Sequence, residues 1–441
     1  MLSEFSRTTR RGFLTASATA GAIGLAPYAS AHAFDVTNEL AEGAAGGDPA
    51  AIRPFRFAAS DAALADLKRR VEMTRWPEPE TVADDTQGVQ LATIQALARH
   101  WSGDYDWRRC EARLNALPNF ITEIDGLDIH FLHVRSRHEN AAPLIVTHGW
   151  PGSILEQLKI IGPLTDPTAH GGDAADAFHL VIPSLPGHGF SAKPTAVGWG
   201  PDRTAHAWAV LMNRLGYQRY FAQGGDWGSM VTDLLAVQSP TAVIAILNNM
   251  PAALQPDISR LVQTGGAAPP GLAPDEQRAF DELIDFFAKH VAYAIEMTNR
   301  PQTLYGVSDS PVALAAWMID HDKKSYELIA RAFAGNPGGI SRDDVLDNAT
   351  LYWLTNTGIS SARLYWENKR GFFDVKGVDV PSAISVFPDE LYECPRSWAE
   401  RAYPKLIHYN RLPVGGHFAA WEQPALLTEE IRTAFRPLRN A

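Results

Sequence analysis

One five-residue stretch constrains the fold of this chain more than any other: Gly-Gly-Asp-Trp-Gly at residues 224–228. It follows a short apolar run and precedes a helix-like segment that continues through Ala236. A polar residue between small neighbours is typical of a nucleophile elbow, a strained turn from a strand into a helix where larger side chains would collide with the backbone. The same residues also fit a glycine-rich turn with a helix-capping aspartate. Whether the stretch is an elbow or such a turn depends on the residues found elsewhere in the chain.

The residue at the centre of this motif, Asp226, determines the chemistry that an elbow could perform. An aspartate nucleophile makes an ester whose carbonyl belongs to the enzyme, whereas a serine would take an acyl group from the substrate. The substrate must then be an alkylating electrophile. An epoxide or an alkyl halide fits this requirement, and an ordinary ester or amide does not.

Buried strands and helices alternate along most of the chain. After an Asp-Gly hairpin at residues 121–134, the helices lie between short apolar runs, and a last amphipathic helix covers residues 425–435. This alternation predicts an α/β fold with a parallel sheet and with ligands at the carboxyl ends of its strands. The runs are at residues 143–147, 179–182, 220–222, 243–247, 383–387 and 405–409.

Two further parts of the chain are predicted to be helical. Apolar residues recur at helical spacing in residues 52–120, which we interpret as an N-terminal module lying on the main domain. Residues 251–377 have helical patterns without a clear strand, which favours a lid inserted into the sheet domain.

The net charge excludes one class of partner. Thirty-nine basic and 50 acidic residues give −11, and no basic cluster follows the N-terminus, so a nucleic acid is not an expected partner. Cys110 and Cys394 are the two cysteines, and the sequence leaves open whether they are bridged. Neither has the spacing of a metal site.

The first 33 residues have the pattern of an export signal. Arg10 and Arg11 form an arginine pair, an Ala/Gly-rich apolar stretch follows, and Ala-His-Ala at residues 31–33 fits a cleavage site. We expect export by the twin-arginine machinery and cleavage after Ala33, although a retained anchor is a lesser alternative. With no long apolar run later in the chain, the mature protein is expected to be soluble, in the periplasm or secreted.

The partners of Asp226 are expected in the chain order nucleophile, acid, histidine. His417 lies in Gly-Gly-His-Phe after the last apolar run, shortly before the final helix. The acid should follow the preceding run, where Glu390 is the first candidate and Asp389 the second. Asn248 and Asn249 fill the other location for the acid, but an amide cannot stabilise an imidazolium by charge.

A third motif is placed to stabilise an oxyanion. His-Gly-Trp-Pro at residues 148–151 follows a buried strand, where the backbone N–H of Trp150 could point into the site. Together with the N–H of Trp227, it would form an oxyanion hole for the intermediate made from the Asp226 ester.

Taken together, these motifs resemble those of epoxide hydrolases of the microsomal type, over residues 52–435. The resemblance lies in the motifs at residues 148–153, 224–228, 387–390 and 415–420. It implies an α/β-hydrolase fold, supports Glu390 over Asp389, and requires neither a cofactor nor a metal. By motif position it also implies two lid tyrosines that act as acids toward the epoxide oxygen, Tyr293 and Tyr365.

The patterns above and the resemblance together divide the chain. The predicted segments are a signal peptide at 1–33, a linker and N-terminal epoxide hydrolase module at 34–120, the first part of the hydrolase core at 121–250, the lid at 251–377 and the second part of the core at 378–441.

The expected reaction converts a hydrophobic epoxide and water into a vicinal diol. A haloalkane or haloacid dehalogenase is an alternative with the same nucleophile, although such enzymes commonly have Asn where Trp150 stands. A non-catalytic binding protein of this fold is the other alternative. The identity of the epoxide and the oligomeric state do not follow from the sequence. Lid aromatic residues indicate a hydrophobic substrate: Phe280, Phe286, Phe287, Trp317, Phe333, Tyr352 and Trp353.

Overall fold

A nine-stranded sheet organises residues 48–439, the part of the chain that this computed structural model describes. Its strand order is β1-β2-β3-β5-β4-β6-β7-β8-β9. The strands are β1 Arg53–Pro54, β2 Asn119–Ile124, β3 Leu127–Val134, β4 Ala142–Thr147, β5 Phe178–Pro183, β6 Tyr220–Gly224, β7 Val243–Asn248, β8 Ser382–Val386 and β9 Leu406–Arg411.

The sheet is antiparallel at one edge and parallel elsewhere. The pairs β1–β2, β2–β3 and β3–β5 are antiparallel, whereas all pairs from β5 to β9 are parallel. Strands β6 and β8 are buried along their whole length, which is the pattern of a sheet covered on both faces. The predicted α/β fold with a mostly parallel sheet is confirmed.

The hairpin between β2 and β3 turns at Asp125 and Gly126, as the Asp-Gly pair predicts. Both residues have positive φ, 53° and 78°. A two-residue turn with positive φ at both positions matches the twist of the strands that it joins, and glycine adopts this conformation without a steric cost.

Helices of the core pack on the sheet in pairs. Helix α5 contacts α6, and α6 contacts β4, β6 and β7, while α4 contacts α17, which contacts β7 and β8. These helices are α4 Leu158–Thr165, α5 Pro201–Arg214, α6 Trp227–Gln238, α15 Arg396–Ala402, α16 Ala419–Glu422 and α17 Pro424–Phe435.

Eight helices separate β7 from β8 in the chain. Two of them, α9 and α14, contact each other and carry the tyrosines that are considered below. The helices are α7 Pro256–Thr264, α8 Pro274–Lys289, α9 Ala292–Asn299, α10 Gly306–Asp309, α11 Pro311–Ile319, α12 Lys323–Phe333, α13 Arg342–Leu354 and α14 Gly358–Glu367.

Residues before β2 contact this helical section. They form α1 Asp61–Glu72, α2 Leu91–Ser102 and α3 Trp107–Asn115. The indole N–H of Trp101 donates a hydrogen bond of 2.9 Å to the hydroxyl of Thr350 in α13. The hydroxyl of Tyr105 donates one of 2.9 Å to Asp347 in the same helix.

The structure shows that the two cysteines are not bridged. Cys110 and Cys394 are both buried and unpaired. The predicted signal peptide and most of the predicted linker lie outside the described residues. Within residues 48–439, no helix is long and apolar enough to cross a membrane.

Candidate active site

The turn between β6 and α6 has the geometry of a strained elbow. Asp226 has a φ of 53° and a ψ of −127°, and α6 begins at the next residue. A Cβ atom on Gly224 would lie 2.1 Å from the carbonyl oxygen of Gly228. A Cβ atom on Gly228 would lie 2.0 Å from the carbonyl oxygen of Thr147. Both positions therefore require glycine, because backbone atoms occupy the space of any side chain.

The two carboxylate oxygens of Asp226 have different neighbours. Oδ1 accepts a hydrogen bond of 2.7 Å from the backbone N–H of Trp150, which follows β4. Oδ2 lies 3.9 Å from Nε2 of His417, which follows β9. The N–H of Trp227 is at the N-terminus of α6, where backbone donors have no partner within the helix. The side chain of Asp226 is buried.

His417 is oriented by Glu390 and not by the other candidates. Its Nδ1 lies 2.7 Å from Oε1 of Glu390, and both side chains are almost fully buried. Asp389 is exposed and its carboxylate lies near a lysine. The amide of Asn248 donates to Asp233, and that of Asn249 accepts from Gln223. The structure therefore brings together His417 and Glu390, and it leaves Asp389 apart from them.

Three carboxylates act on the charge of His417. Burial by itself would lower the pKa of His417, but Glu390, Asp226 and Asp322 raise this pKa to about 10. The imidazolium form is thus favoured while Asp226 is an anion. Removing the charge of Asp226 would remove one of the three contributions that keep His417 protonated.

The two lid tyrosines lie over the elbow. The ring of Tyr293 stacks on Trp150 at 5.2 Å between centroids, and that of Tyr365 packs edge-on against Trp227 at 4.7 Å. The two tyrosine rings are 6.1 Å apart. Burial and the charge of Asp226 raise the pKa values of both hydroxyls well above the ordinary value. Both tyrosines are therefore protonated at neutral pH, as proton donors must be.

A cavity of about 300 Å³ extends from Asp226 and is lined by both tyrosines. Four phenylalanines form much of its wall: Phe286, Phe287, Phe372 and Phe373. Two of them belong to the set of lid aromatic residues identified in the sequence, and the other five members of that set are not among the residues lining the cavity. The wall suits an apolar ligand, with the Asp226 carboxylate at one end.

Comparisons with known sequences identify two families along the chain. The family described as "Epoxide hydrolase N terminus" matches residues 52–157. The family described as "alpha/beta hydrolase fold" matches residues 142–283.

Relatives that match over most of the chain agree with this assignment. A Stigmatella aurantiaca protein whose name assigns it to the epoxide hydrolases is 51% identical over 88% of this chain and 86% of the relative. "Epoxide hydrolase 1" of Oryctolagus cuniculus is 35% identical over 86% of this chain and 88% of the relative. The chain belongs to the epoxide hydrolases.

Solved structures resemble this epoxide hydrolase over most of its length. The juvenile hormone epoxide hydrolase of the silkworm Bombyx mori has a TM-score of 0.78 at 28% identity, covering 89% of this chain and 95% of the other. The Aspergillus niger epoxide hydrolase has a TM-score of 0.74 at 30% identity, covering 88% and 97%. The predicted α/β-hydrolase fold and epoxide hydrolase activity are confirmed, and the dehalogenase and non-catalytic alternatives are not supported. Catalysis through an ester on an enzyme aspartate is general for this family.

Three buried residues near the site of this epoxide hydrolase were not identified from the sequence. The ring of His321 lies 4.4 Å from that of His417, and its Nδ1 is 2.9 Å from Asp322. Glu156 lines a second, small cavity that Asp226 and His417 also line. Glu156 lies five residues after the predicted motif residue Pro151, whereas no motif or spacing in the sequence distinguishes His321 or Asp322.

One group of side chains near the elbow could hold a metal ion. Ligand atoms of Asp226, His321 and His417 lie within 4.8 Å of one another, and all three side chains are buried. Asp226 and His417 are also two of the residues that the sequence predicts to be catalytic. The prediction that the enzyme uses no metal and no cofactor stays a prediction.

Proposed function

We propose that Asp226 is the nucleophile of this epoxide hydrolase and that His417, oriented by Glu390, is the base that activates water. The different settings of the two Asp226 oxygens carry the proposal. Oδ1 is held by the Trp150 N–H at 2.7 Å, where an oxyanion would be stabilised. Oδ2 has no such bond to Trp150 and is the oxygen that faces His417, at 3.9 Å.

In the first step, Oδ2 of Asp226 attacks an epoxide carbon and the carbon–oxygen bond of the ring breaks. Tyr293 and Tyr365 donate hydrogen bonds to the leaving epoxide oxygen, and one of them gives it a proton. The product is a hydroxyalkyl ester of Asp226. This step removes the negative charge of Asp226, so it lowers the pKa of His417 and favours the neutral imidazole. The proton that His417 releases replaces the one that the tyrosine gave to the epoxide oxygen.

In the second step, neutral His417 takes a proton from water while the water oxygen bonds to Cγ of Asp226. Negative charge moves to Oδ1, where the N–H groups of Trp150 and Trp227 stabilise it. The bond between Cγ and Oδ2 then breaks, and the departing diol oxygen takes the proton back from His417. The remaining proton of the water passes from the regenerated Asp226 carboxyl to His417, which restores the starting charges. Glu390 holds the imidazole in the tautomer that this step needs and stabilises the imidazolium.

The origin of the diol oxygen tests this scheme. With enzyme in excess in oxygen-18 water, the first diol should carry unlabelled oxygen from Asp226, and one label should enter the Asp226 carboxylate. Label in the diol during the first turnover would mean that water attacks the epoxide directly. As variants, Asp226→Ala should have no turnover and His417→Gln should accumulate the ester.

We further propose that the substrate is a hydrophobic epoxide. The phenylalanines that line the cavity of about 300 Å³ support an apolar substituent on the epoxide. A panel of styrene-like, aliphatic and terpene epoxides would test this. Apolar members should have kcat/KM values well above those of small polar epoxides, and the reverse order would contradict the proposal.

We also propose that the protein is exported and that its N-terminus is cleaved after Ala33. The support is the arginine pair at residues 10 and 11 with the apolar stretch and the Ala-His-Ala site that follow. We also keep as a proposal the division of the chain into segments that end at residues 33, 120, 250 and 377. Cell fractionation should find the mature chain outside the cytoplasm, and Arg10→Lys with Arg11→Lys should retain the uncleaved precursor inside. Equal export of both forms would refute twin-arginine export.

A further inference from the structure

Asp226 lies between two cavities of different size and chemistry. The larger one, described above, is lined by the tyrosines and phenylalanines. The smaller one has a volume of about 20 Å³ and is lined by Asp226 and His417 together with polar side chains. These polar side chains are Glu156, Gln157, Gln223 and Asn249.

The smaller cavity has the size and the partners that one water molecule needs. A cavity must offer about 10–15 Å³ to hold a water, which then makes two to four hydrogen bonds. Oε1 of Gln157 and Oε1 of Gln223 are buried, and neither has a hydrogen-bond partner among the described residues. Buried acceptors of this kind favour a bound donor, because an unsatisfied buried polar atom costs about 1–3 kcal/mol.

Glu156 is fixed in this cavity by its surroundings. It lies in the 3₁₀ turn Ile154–Gln157 and is 8% exposed. The side-chain amide of Gln157 donates a hydrogen bond of 2.7 Å to its Oε1. A Cβ atom on Gly152 would lie 1.8 Å from its Oε2, so the glutamate carboxyl occupies the space that a side chain at residue 152 would take.

The charge state of Glu156 suits a group that holds water. Burial raises the pKa of Glu156 to about 8, with the opposing influence of His417 and the added influence of Asp226. The protonated carboxyl can both donate and accept a hydrogen bond. It would not add another full negative charge beside the anionic Asp226.

We infer that the smaller cavity holds the water that hydrolyses the Asp226 ester and that Glu156 is the residue that positions this water. The inference rests on the proposed roles of Asp226 and His417. The water oxygen bonds to Cγ of Asp226, one of its protons passes to His417, and the bond between Cγ and Oδ2 breaks as the departing diol oxygen takes that proton from His417. Glu156 holds the water by hydrogen bonding and undergoes no net change of protonation.

This role separates the two chemical steps. Formation of the ester consumes no water, so the loss of Glu156 should leave that step unchanged. Hydrolysis requires a water held within reach of the carbonyl carbon Cγ, and a water displaced from that position reacts more slowly. A positioning role for Glu156 therefore predicts a defect confined to hydrolysis.

The test is a single-turnover experiment on the full chain with enzyme in excess over a reactive epoxide. Intact-protein mass spectrometry after acid quench measures the formation and the decay of the covalent adduct. In Glu156→Gln, formation should stay within about twofold of wild type and decay should slow by about tenfold or more, the effect of one lost hydrogen bond to a polar or charged partner.

A second variant tests the position of the Glu156 carboxyl without removing it. Gly152→Ala keeps the glutamate but pushes its carboxyl out of place, so it should slow decay in the same way. Glu282→Gln is the matched control, since Glu282 is a partly buried carboxyl whose Oε2 accepts from the Glu393 N–H, and it does not line the cavity. Its adduct should decay at the wild-type rate. Thermal unfolding of each variant should establish that it is folded.

The outcomes separate this inference from the proposal beneath it. Decay at the wild-type rate in Glu156→Gln, or an equal loss of formation and decay in a folded variant, would overturn the role of Glu156. Slow decay in the Glu282→Gln control would also overturn it, because the effect would then not depend on the cavity. No adduct at all in the wild type or in His417→Gln would instead refute the Asp226 ester.

Discussion

Replacing Glu390 with glutamine isolates the effect of one buried charge on His417. The amide can still accept a hydrogen bond from Nδ1 of His417 across the present 2.7 Å, so the orientation of the ring should be retained. The negative charge is lost. Because both side chains are buried, solvent should screen this change only weakly.

The expected size follows from the balance of charges around His417. Glu390, Asp226 and Asp322 together outweigh burial and raise the pKa of His417 from 6.5 to about 10, and Glu390 is the largest of the three raising influences. Its removal should lower the pKa of His417 by at least about 1, which corresponds to ~1.4 kcal/mol. Hydrolysis of the ester should slow on the order of 10²-fold, because the imidazolium formed in that step loses its stabilising charge.

Two measurements check the expectation. An NMR titration, with the His417 signal assigned through His417→Gln, gives the pKa in the free enzyme, and adduct decay after acid quench gives the hydrolysis rate. Asp389→Asn is the control, because it removes the neighbouring exposed carboxylate and should change neither quantity. A pKa in Glu390→Gln within about 0.3 of wild type, or an equal change in Asp389→Asn, would refute the reasoning.

Three further predictions concern the elbow and the lid. Tyr365→Phe should slow ester formation by about 10- to 150-fold, since a hydrogen bond to a charged group contributes about 1.5–3 kcal/mol. Adding Tyr293→Phe should slow it further. The rate of adduct formation is measured by stopped flow, and a wild-type rate in either variant would contradict the prediction. Gly228→Ala should destabilise the fold by about 3 kcal/mol or prevent folding, because its Cβ would meet a backbone carbonyl at 2.0 Å, whereas Gly306→Ala has open space and should be near neutral in urea unfolding. Asp322→Asn should lower the free energy of unfolding by about 1–3 kcal/mol at pH 7. Burial opposes ionisation of Asp322, but its interactions with nearby histidines outweigh burial and hold its pKa below the usual range. The stabilisation by ionised Asp322 is therefore present above about pH 4 and is lost as the pH falls further. The difference in the free energy of unfolding between wild type and Asp322→Asn should shrink below that pH, and a difference that stays the same would contradict the stabilising role of the Asp322 charge.

The residues predicted from the sequence share a local signature. Trp150, Asp226 and Glu390 each follow a strand of the parallel sheet that is buried at its carboxyl end, and His417 follows the half-exposed edge strand β9; the carboxyl ends of such strands meet at one edge. An apolar run that ends at this edge therefore indicates the position of the side chain, and at Trp150, Asp226 and His417 glycines directly before the residue mark it further. Tyr293 and Tyr365 had no such signature and were placed by resemblance alone.

The residues that were missed depend on spaces formed by distant parts of the chain. Glu156 matters because its carboxyl fills the volume next to Gly152 and borders a cavity shared with His417. His321 belongs to the helical section and meets His417 only through the packing of that section on the sheet. Phe372 lines the larger cavity from an irregular segment outside any helix. Neither periodicity nor spacing along the sequence contains this information.

The hydrogen bonds that join the N-terminal helices to the helical section before β8 have a consequence for the order of folding. Trp101 and Thr350 are 249 positions apart, and Tyr105 and Asp347 are 242 apart. Contacts at such separations require a large loss of chain entropy before they form, and they slow folding. During synthesis, the first helices to emerge must wait for more than half of the chain before they find these partners. We therefore expect the two proposed acids, Tyr293 and Tyr365, to reach their places in one of the last folding events, after the elbow itself has formed.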